Sequence, residues 1–352
     1  MPPETMTSRE RWLAVIERQR PDRVPTDYQA TPEASAMLMR HLGASSLDEV
    51  FQRLHIDAHT GVYARWAGAK LPEGTDEFGC RYEKIDYGSG SYGECTFHPL
   101  AGFESPREVE TQYTWPSVDQ YDFSHIAGRA EASRDRPIFG GGSEPFLIYC
   151  NLRGRQQAMM DLVLNGEMVH YCLGKLFDLA YETTVRIYQE ARGRVLLSYI
   201  AEDMGSQEDL MFSPAQIEEF LIPGMKRMME LAHSSDVYVI HHSDGAIRKI
   251  LPRMIEIGID VLNPVQWRCK GMQREDLKKD FGESVIFHGA MDNQRTLPFG
   301  SLKDVRAEVL DNLRILGEGG GYILAPCHNI QAVGPPENVV AMYETAYENG
   351  WI

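Results

Sequence analysis

Five short stretches in the second half of the chain gather side chains that do chemistry: Glu202-Asp203, His241-His242-Ser243-Asp244, Asn263 to Gln266, Asp292 to Gln294, and Cys327-His328-Asn329. Imidazole, carboxylate and thiolate groups in this mixture serve proton transfer, or hold a metal ion with one position left open for substrate. The amides of Asn263, Gln266, Gln294 and Asn329 add donors and acceptors that orient a ligand without carrying charge. Glu202 and Asp203 are adjacent acids, costly to bury unless paired or metal-bound, which marks one of them as functional. The run Gly140-Gly141-Gly142 looks like a phosphate loop but lacks the Lys-Ser/Thr that such a loop needs.

Each stretch follows a short apolar run. The runs are Val195 to Ile200, Val237 to Ile240, Val261 to Asn263, Val285 to His288 and Gly321 to Leu324, with Pro137 to Gly140 before them. Helix-length amphipathic segments separate them, among them Pro214 to His233, Ala246 to Ile257 and Leu302 to Leu316. Strand and helix in alternation imply a parallel sheet, and this many units predict a closed (β/α)8 TIM barrel. Residues 136–352 supply the barrel repeats. Residues 1–135 form an irregular extension: a helix from Ser8 to Arg18, a second from Thr31 to Leu42, a hairpin within Asp76 to His98, and a connector from Ser105 to Tyr121. The whole, 1–352, reads as one domain. In such barrels the chemistry lies at the C-terminal ends of the strands, where the five stretches fall.

Simpler roles compete at several positions. Asp244 is placed to cap a helix starting at Ala246. His241 alternates to the opposite strand face from His242 and reads as structural. Cys327 is as readily a small buried filler as a ligand. Asp292 and Gln294 either orient substrate or close a loop, and the aromatic rings of Tyr149, Trp66 and Trp267 more often fill a core than line a pocket.

The counts narrow the function classes. With 35 Lys and Arg against 51 Asp and Glu, the net charge of -16 repels nucleic-acid phosphates and anionic membranes. No apolar run approaches the ~20 residues of a membrane span. Six scattered cysteines without a close pair, behind a start with no signal peptide, read as reduced thiols of a cytoplasmic protein.

Several motifs resemble the uroporphyrinogen decarboxylase superfamily. They are Arg20-Pro21-Asp22-Arg23-Val24-Pro25, Phe139 to Phe146, Ser213-Pro214, Phe220 to Pro223, His288-Gly289-Ala290-Met291-Asp292, and Cys327-His328-Asn329-Ile330 followed by Pro335 to Val339, in matching order over roughly residues 9 to 350. Members that act on uroporphyrinogen carry an R-Q-A-G-R motif after the first of these, to hold the substrate's carboxylates. Here that stretch is Asp27-Tyr28-Gln29-Ala30-Thr31-Pro32-Glu33, with both arginines missing, which argues against an octa-anionic tetrapyrrole. The family's tyrosine after the first strand is replaced by Cys150 or Asn151, with Tyr149 nearby.

The superfamily's other branch transfers methyl groups to or from a corrinoid with the help of zinc, and thiol-using members carry H-x-C-G after one strand. This chain has His242-Ser243-Asp244-Gly245 there. The resemblance therefore implies a zinc-dependent methyltransferase of corrinoid O-demethylase type, with metal ligands drawn from Glu202, His242, Asp244, Cys327 and His328. His328, His242 and Asp203 are the expected catalytic groups, and Tyr149, Asn263, Gln266, Asp292, Gln294 and Asn329 the expected substrate contacts. A carboxylate in place of the thiolate makes the metal a harder Lewis acid, suited to an oxygen-bearing substrate. The implied partners are a small-molecule substrate and a protein carrying cobalamin, with a homodimer left open. Two rivals stand beside this reading: a metal-free decarboxylase of a porphyrinogen or smaller acid built on His328 and a carboxylate, and a non-catalytic barrel that binds a tetrapyrrole or corrinoid.

Overall fold

Apolar residues alternate with residues of the opposite face along seven strands that pair in chain order in the computed structural model, which describes residues 2–352. The strands are β1 (Thr60–Val62), β2 (Ile138–Ser143), β3 (Leu197–Ala201), β4 (Tyr238–His242), β5 (Val261–Val265), β6 (Ile286–Met291) and β7 (Tyr322–Pro326). All six pairings are parallel. Parallel neighbours need long crossovers, and helices Gly166–Ala191, Ile222–His233, Leu251–Ile257, Arg274–Phe281 and Leu302–Ile315 supply them between β2 and β7.

The sheet curls, but it has seven strands where eight were expected. Between its two edges runs the segment from Pro25 to Asp27. Asp27 N donates to Leu324 O of β7, Leu324 N donates to Pro25 O, and on the other side Asp57 N donates to Thr26 O, three residues before β1. The sheet also begins earlier than the sequence indicates, since β1 lies within the N-terminal third. Its three residues are too short a run to stand out as a strand.

Period-two alternation sorts the strand residues. Phe139, Leu197, Ile240, Val261, Ile286 and Ile323, one from each of six consecutive strands, form a buried cluster with Trp12, Val15 and Ile16 of the opening helix. Two residues further along, on the same face, come His242, Asn263 and His288. A polar layer therefore lies directly on an apolar one. The opposite face, with Val239, Leu262 and Phe287, packs against the surrounding helices.

Several boundaries differ from the sequence-based ones for local reasons. The opening helix is Ser8–Ile16, ended by Arg18 at a positive φ of 56°. The supposed connector holds a helix, Pro106–Gln112, announced by Ser105 as its cap and Pro106 in its first turn. Ala246 to Ile250 form turns, and the helix starts at Leu251, next to Pro252. Within the span from Pro214 to His233 a wide turn, Ile217–Leu221, precedes Pro223, which cannot donate to the preceding turn. The hairpin forms as Arg81–Asp86 against Ser91–Phe97. Among the described residues no helix is long and apolar enough to cross a membrane.

Candidate functional site

The C-terminal ends of the strands open on a cavity of about 650 Å³ whose wall includes His59, Glu144, Tyr199, Asp203, His242 and His328. His242 ends β4 and His328 follows β7, so two distant stretches meet in one space, with ring centroids 6.2 Å apart. Asp244 joins them: one ligand atom each from His242, Asp244 and His328 lies within 4.8 Å of the others. Asp203 adds a carboxylate 3.6 Å from His242 Nε2, and its Oδ1 accepts from Asp244 N at 2.9 Å.

The His242 ring is oriented from below. Its Nδ1 lies 2.6 Å from Asn263 Oδ1, which can only accept, so Nδ1 carries the proton and Nε2 offers a lone pair to the cavity. The Asn263 Nδ2 then donates to His288 Nδ1 at 2.6 Å, and His288 Nε2 donates to Asp27 Oδ2 at 3.1 Å. Asp27 also accepts from His59 Nδ1, at 2.9 Å and 3.0 Å to its two oxygens. The result is a buried chain, His242 to Asn263 to His288 to Asp27 to His59, that starts and ends at the same cavity. Burial opposes the charge on Asp27, but His59 and His288 outweigh it and hold its carboxyl far below the ordinary value.

Acidic groups crowd the other wall. Burial holds Glu144 above the ordinary carboxyl value, against the pull of His242 and with a further push from Asp203. Burial likewise raises Asp244, which His242 and His328 oppose, and its Oδ1 is buried without a hydrogen-bond partner. An unpartnered buried carboxylate oxygen beside two imidazoles is an incomplete set of contacts that a cation would complete. Tyr199 packs against His242 with ring centroids 5.5 Å apart. It is brought there by Gly142, which sits at φ 114° at an irregular step in β2, where a Cβ would fall 1.9 Å from Tyr199 O.

Other sequence-predicted residues stand in supporting places. Gln266 Oε1 accepts from Gly245 N at 2.7 Å, which fixes the turn carrying Asp244. Asn329 lines the cavity next to His328. Glu202 turns away: both its oxygens accept from Phe146 N, at 3.1 Å and 3.2 Å, at the start of helix Pro145–Arg153, and burial raises its pKa well above the ordinary value. The Cys327 thiol donates to Val265 O at 3.2 Å and burial pushes its pKa far up. It lines a separate small cleft with Gln294 and Asp292. Asp292 is occupied by Arg268 Nε at 2.5 Å and by the backbone N–H groups of Gln294, Arg295 and Thr296, the loop-closing role. Tyr149 is buried with its hydroxyl on Asp161 Oδ2 at 2.5 Å, beside the Arg153–Asp161 ion pair and outside the cavity. His241 Nδ1 donates to Ile200 O at 2.8 Å on the far face, and burial drives its pKa down to about 4, so it is neutral.

Four contributors escape a strand-end reading: Asp27, His59, Glu144 and His288. Asp27 sits before a helix in an irregular region, and His59 before a three-residue strand. His288 had a usable signal, since it falls on the inward face of β6 one alternation after Ile286.

Residues 125–349 match the sequence model of a family described as Uroporphyrinogen decarboxylase (URO-D). A uroporphyrinogen decarboxylase of Nostoc punctiforme is 29% identical over 221 residues, 60% of this chain and 54% of that protein. The methylcobamide:CoM methyltransferase MtaA of Methanosarcina barkeri is 25% identical over 215 residues, 61% of this chain and 59% of that protein. The chain thus spans only about half the length of several curated relatives it matches. A solved methyltransferase from Methanosarcina mazei shares the fold with a TM-score of 0.67 at 21% identity, over 98% of this chain and 99% of that one.

Proposed function

The chain belongs to the uroporphyrinogen decarboxylase family, and on that premise we propose that it is a zinc-dependent methyltransferase that moves a methyl group between an oxygen-bearing small molecule and the corrinoid of a partner protein. The observation that carries the proposal is the His242, Asp244 and His328 cluster, with the His242 tautomer set by Asn263 and one Asp244 oxygen lacking a partner. These three side chains would hold zinc, which supplies Lewis acidity toward a substrate oxygen when bound. Asp203 is the adjacent acid, placed to accept a proton or to hold the turn through Asp244 N. In this reading the segment Pro25 to Asp27 is the eighth position of a closed barrel. Glu144, Asp203 and Asp244 make the cavity wall acidic, which disfavours a substrate bearing many carboxylates and weighs against the decarboxylase rival.

Purified protein is expected to contain close to one zinc per chain by elemental analysis, and to leave uroporphyrinogen unconverted in an anaerobic assay. Metal-poor protein that cannot be reconstituted with zinc, together with conversion to coproporphyrinogen, would turn the assignment to the decarboxylase rival. Because burial keeps a proton on Asp244 to higher pH than usual, zinc uptake should release protons, and affinity should fall on acidification.

A second expected outcome concerns Asn263, which touches no solvent-facing part of the cluster. Replacing it with Leu preserves volume but removes the acceptor that holds His242 Nδ1–H. Groups that orient a metal-bound histidine are worth roughly 10–100-fold in affinity. Asn263→Leu should weaken zinc binding by that factor in a chelator competition, whereas an unchanged affinity would show that the ring is held by packing alone.

A further inference from the structure

Asp27 holds two histidines, and only His288 belongs to the contacts that orient His242. The other, His59, has no part in the metal cluster. Its Nδ1 bonds both oxygens of the fully buried Asp27, and its backbone N donates to Asp27 Oδ1 at 3.3 Å. The ring lies stacked on Phe139, with centroids 4.2 Å apart and planes 17° from parallel. A ring pinned at one nitrogen and stacked on one face has a single free edge. Its side chain is 23% exposed and lines the cavity, so Nε2 is the nitrogen left for a ligand.

We propose that His59, oriented by Asp27, is a catalytic acid of this cavity that meets an oxygen atom of the substrate with its Nε2–H. The proposal rests on reading the cavity as the substrate site of a methyl transfer, and it adds the group that protonates the departing oxygen. As the bond between the methyl carbon and that oxygen breaks, the oxygen keeps the bonding pair and takes the Nε2 proton. The methyl carbon passes to the cobalt(I) nucleophile of the corrinoid partner, and the neutral imidazole regains a proton from water. Positioned acids of this kind contribute roughly 10²–10⁴-fold.

The surroundings keep the proton available. Burial works against a charged His59, but Asp27 prevails and holds its pKa above the ordinary imidazole value. The other titratable groups on the cavity wall are Tyr28, Glu144, Tyr199, Asp203, His242 and His328, with His288 behind Asp27.

Two measurements on the full chain test this. In ¹⁵N-histidine NMR, with His59 assigned by its loss in His59→Gln, the ring should titrate above the ~6.5 of a free imidazole and fall by at least about one pH unit in Asp27→Asn. An ordinary midpoint, or one unmoved by Asp27→Asn, overturns the proposal. Asp27 is buried, so a second test leaves it intact: 4-nitrophenol, whose phenolate is distinguished from the phenol by visible absorbance, is titrated into wild type and His59→Gln. Wild type should bind the phenolate at least about tenfold more tightly than the variant. Equal binding, or no bound phenolate with wild type at millimolar probe, defeats the proposal. Zinc content should be the same in both proteins, so a metal-free wild type would count against the methyltransferase reading alone.

Discussion

Replacing either His242 or His328 with alanine is expected to lower turnover by at least about a thousandfold, ~4 kcal/mol of transition-state stabilisation. Each removes one of the three groups proposed to hold zinc, and two remaining contacts would be too few to fix an ion's geometry. Zinc content should fall with activity, and demethylation of methylcobalamin, followed by its absorbance, provides the readout. The double variant should be little worse than either single one, because groups that act as a unit are not additive. The two differ in their cost to folding. His242→Ala strands the Asn263 carbonyl in a buried layer, at roughly 1–3 kcal/mol. His328 lies beyond the end of β7, and its loss should stay within about 0.5 kcal/mol. Full activity in either single variant, with normal zinc, would remove the cluster from the mechanism.

The strand-end rule carried the sequence reading because it uses only the order of apolar runs. It placed His242, Asp244, His328, Asp203 and Asn329 at one rim, and the structure brings these five to a single cavity region. It could not separate residues that point into the cavity from those that turn aside after the same strand. Glu202 follows Ala201 directly, yet it reaches the N–H at the start of the next helix, while Asp203, one residue on, faces His242. Cys327 and His328 divide in the same way. A one-residue change of side at the end of a strand depends on backbone turns that composition does not encode.

The relay beneath the site was harder to read, for a different reason. Asp27, His59 and His288 come from three separate parts of the chain, and what joins them is the curl of the sheet that carries Pro25 to Asp27 between β7 and β1. Nothing in local periodicity announces a three-residue segment bonded to the edge strand β7. The Arg20 to Pro25 motif marked the family at the sequence level, and the structure gives that motif its physical purpose: it holds the segment in place.

Asp57→Ala is accordingly expected to destabilise the protein by about 3–5 kcal/mol, the range for leaving a buried ion pair half empty. The Asp57 carboxylate is 1% exposed and bonds two guanidinium groups that are also 1% exposed, Arg11 and Arg23, with Arg23 Nη1 at 2.7 Å. It further accepts from Thr26 N and Ser8 Oγ, both at 3.0 Å. Removing it leaves two buried cations facing each other and frees the strand segment that ends in Asp27. Asp22 shares Arg11 and softens the loss: against the burial that raises it, Arg11 and the Thr5 and Met6 N–H groups hold its pKa down at about 2. A depressed carboxyl contributes stability above its unfolded value near ~4 and loses it as pH falls toward 2, so the variant should become acid-labile over that window. Because Thr26 adjoins Asp27, the damage should reach the site as well. In the His59 titration, Asp57→Ala should lower the midpoint even at temperatures where the protein remains folded. An unfolding free energy lowered by less than about 1 kcal/mol in denaturant titration would mean that the two arginines find other partners, and that Asp57 does not hold the segment between β7 and β1.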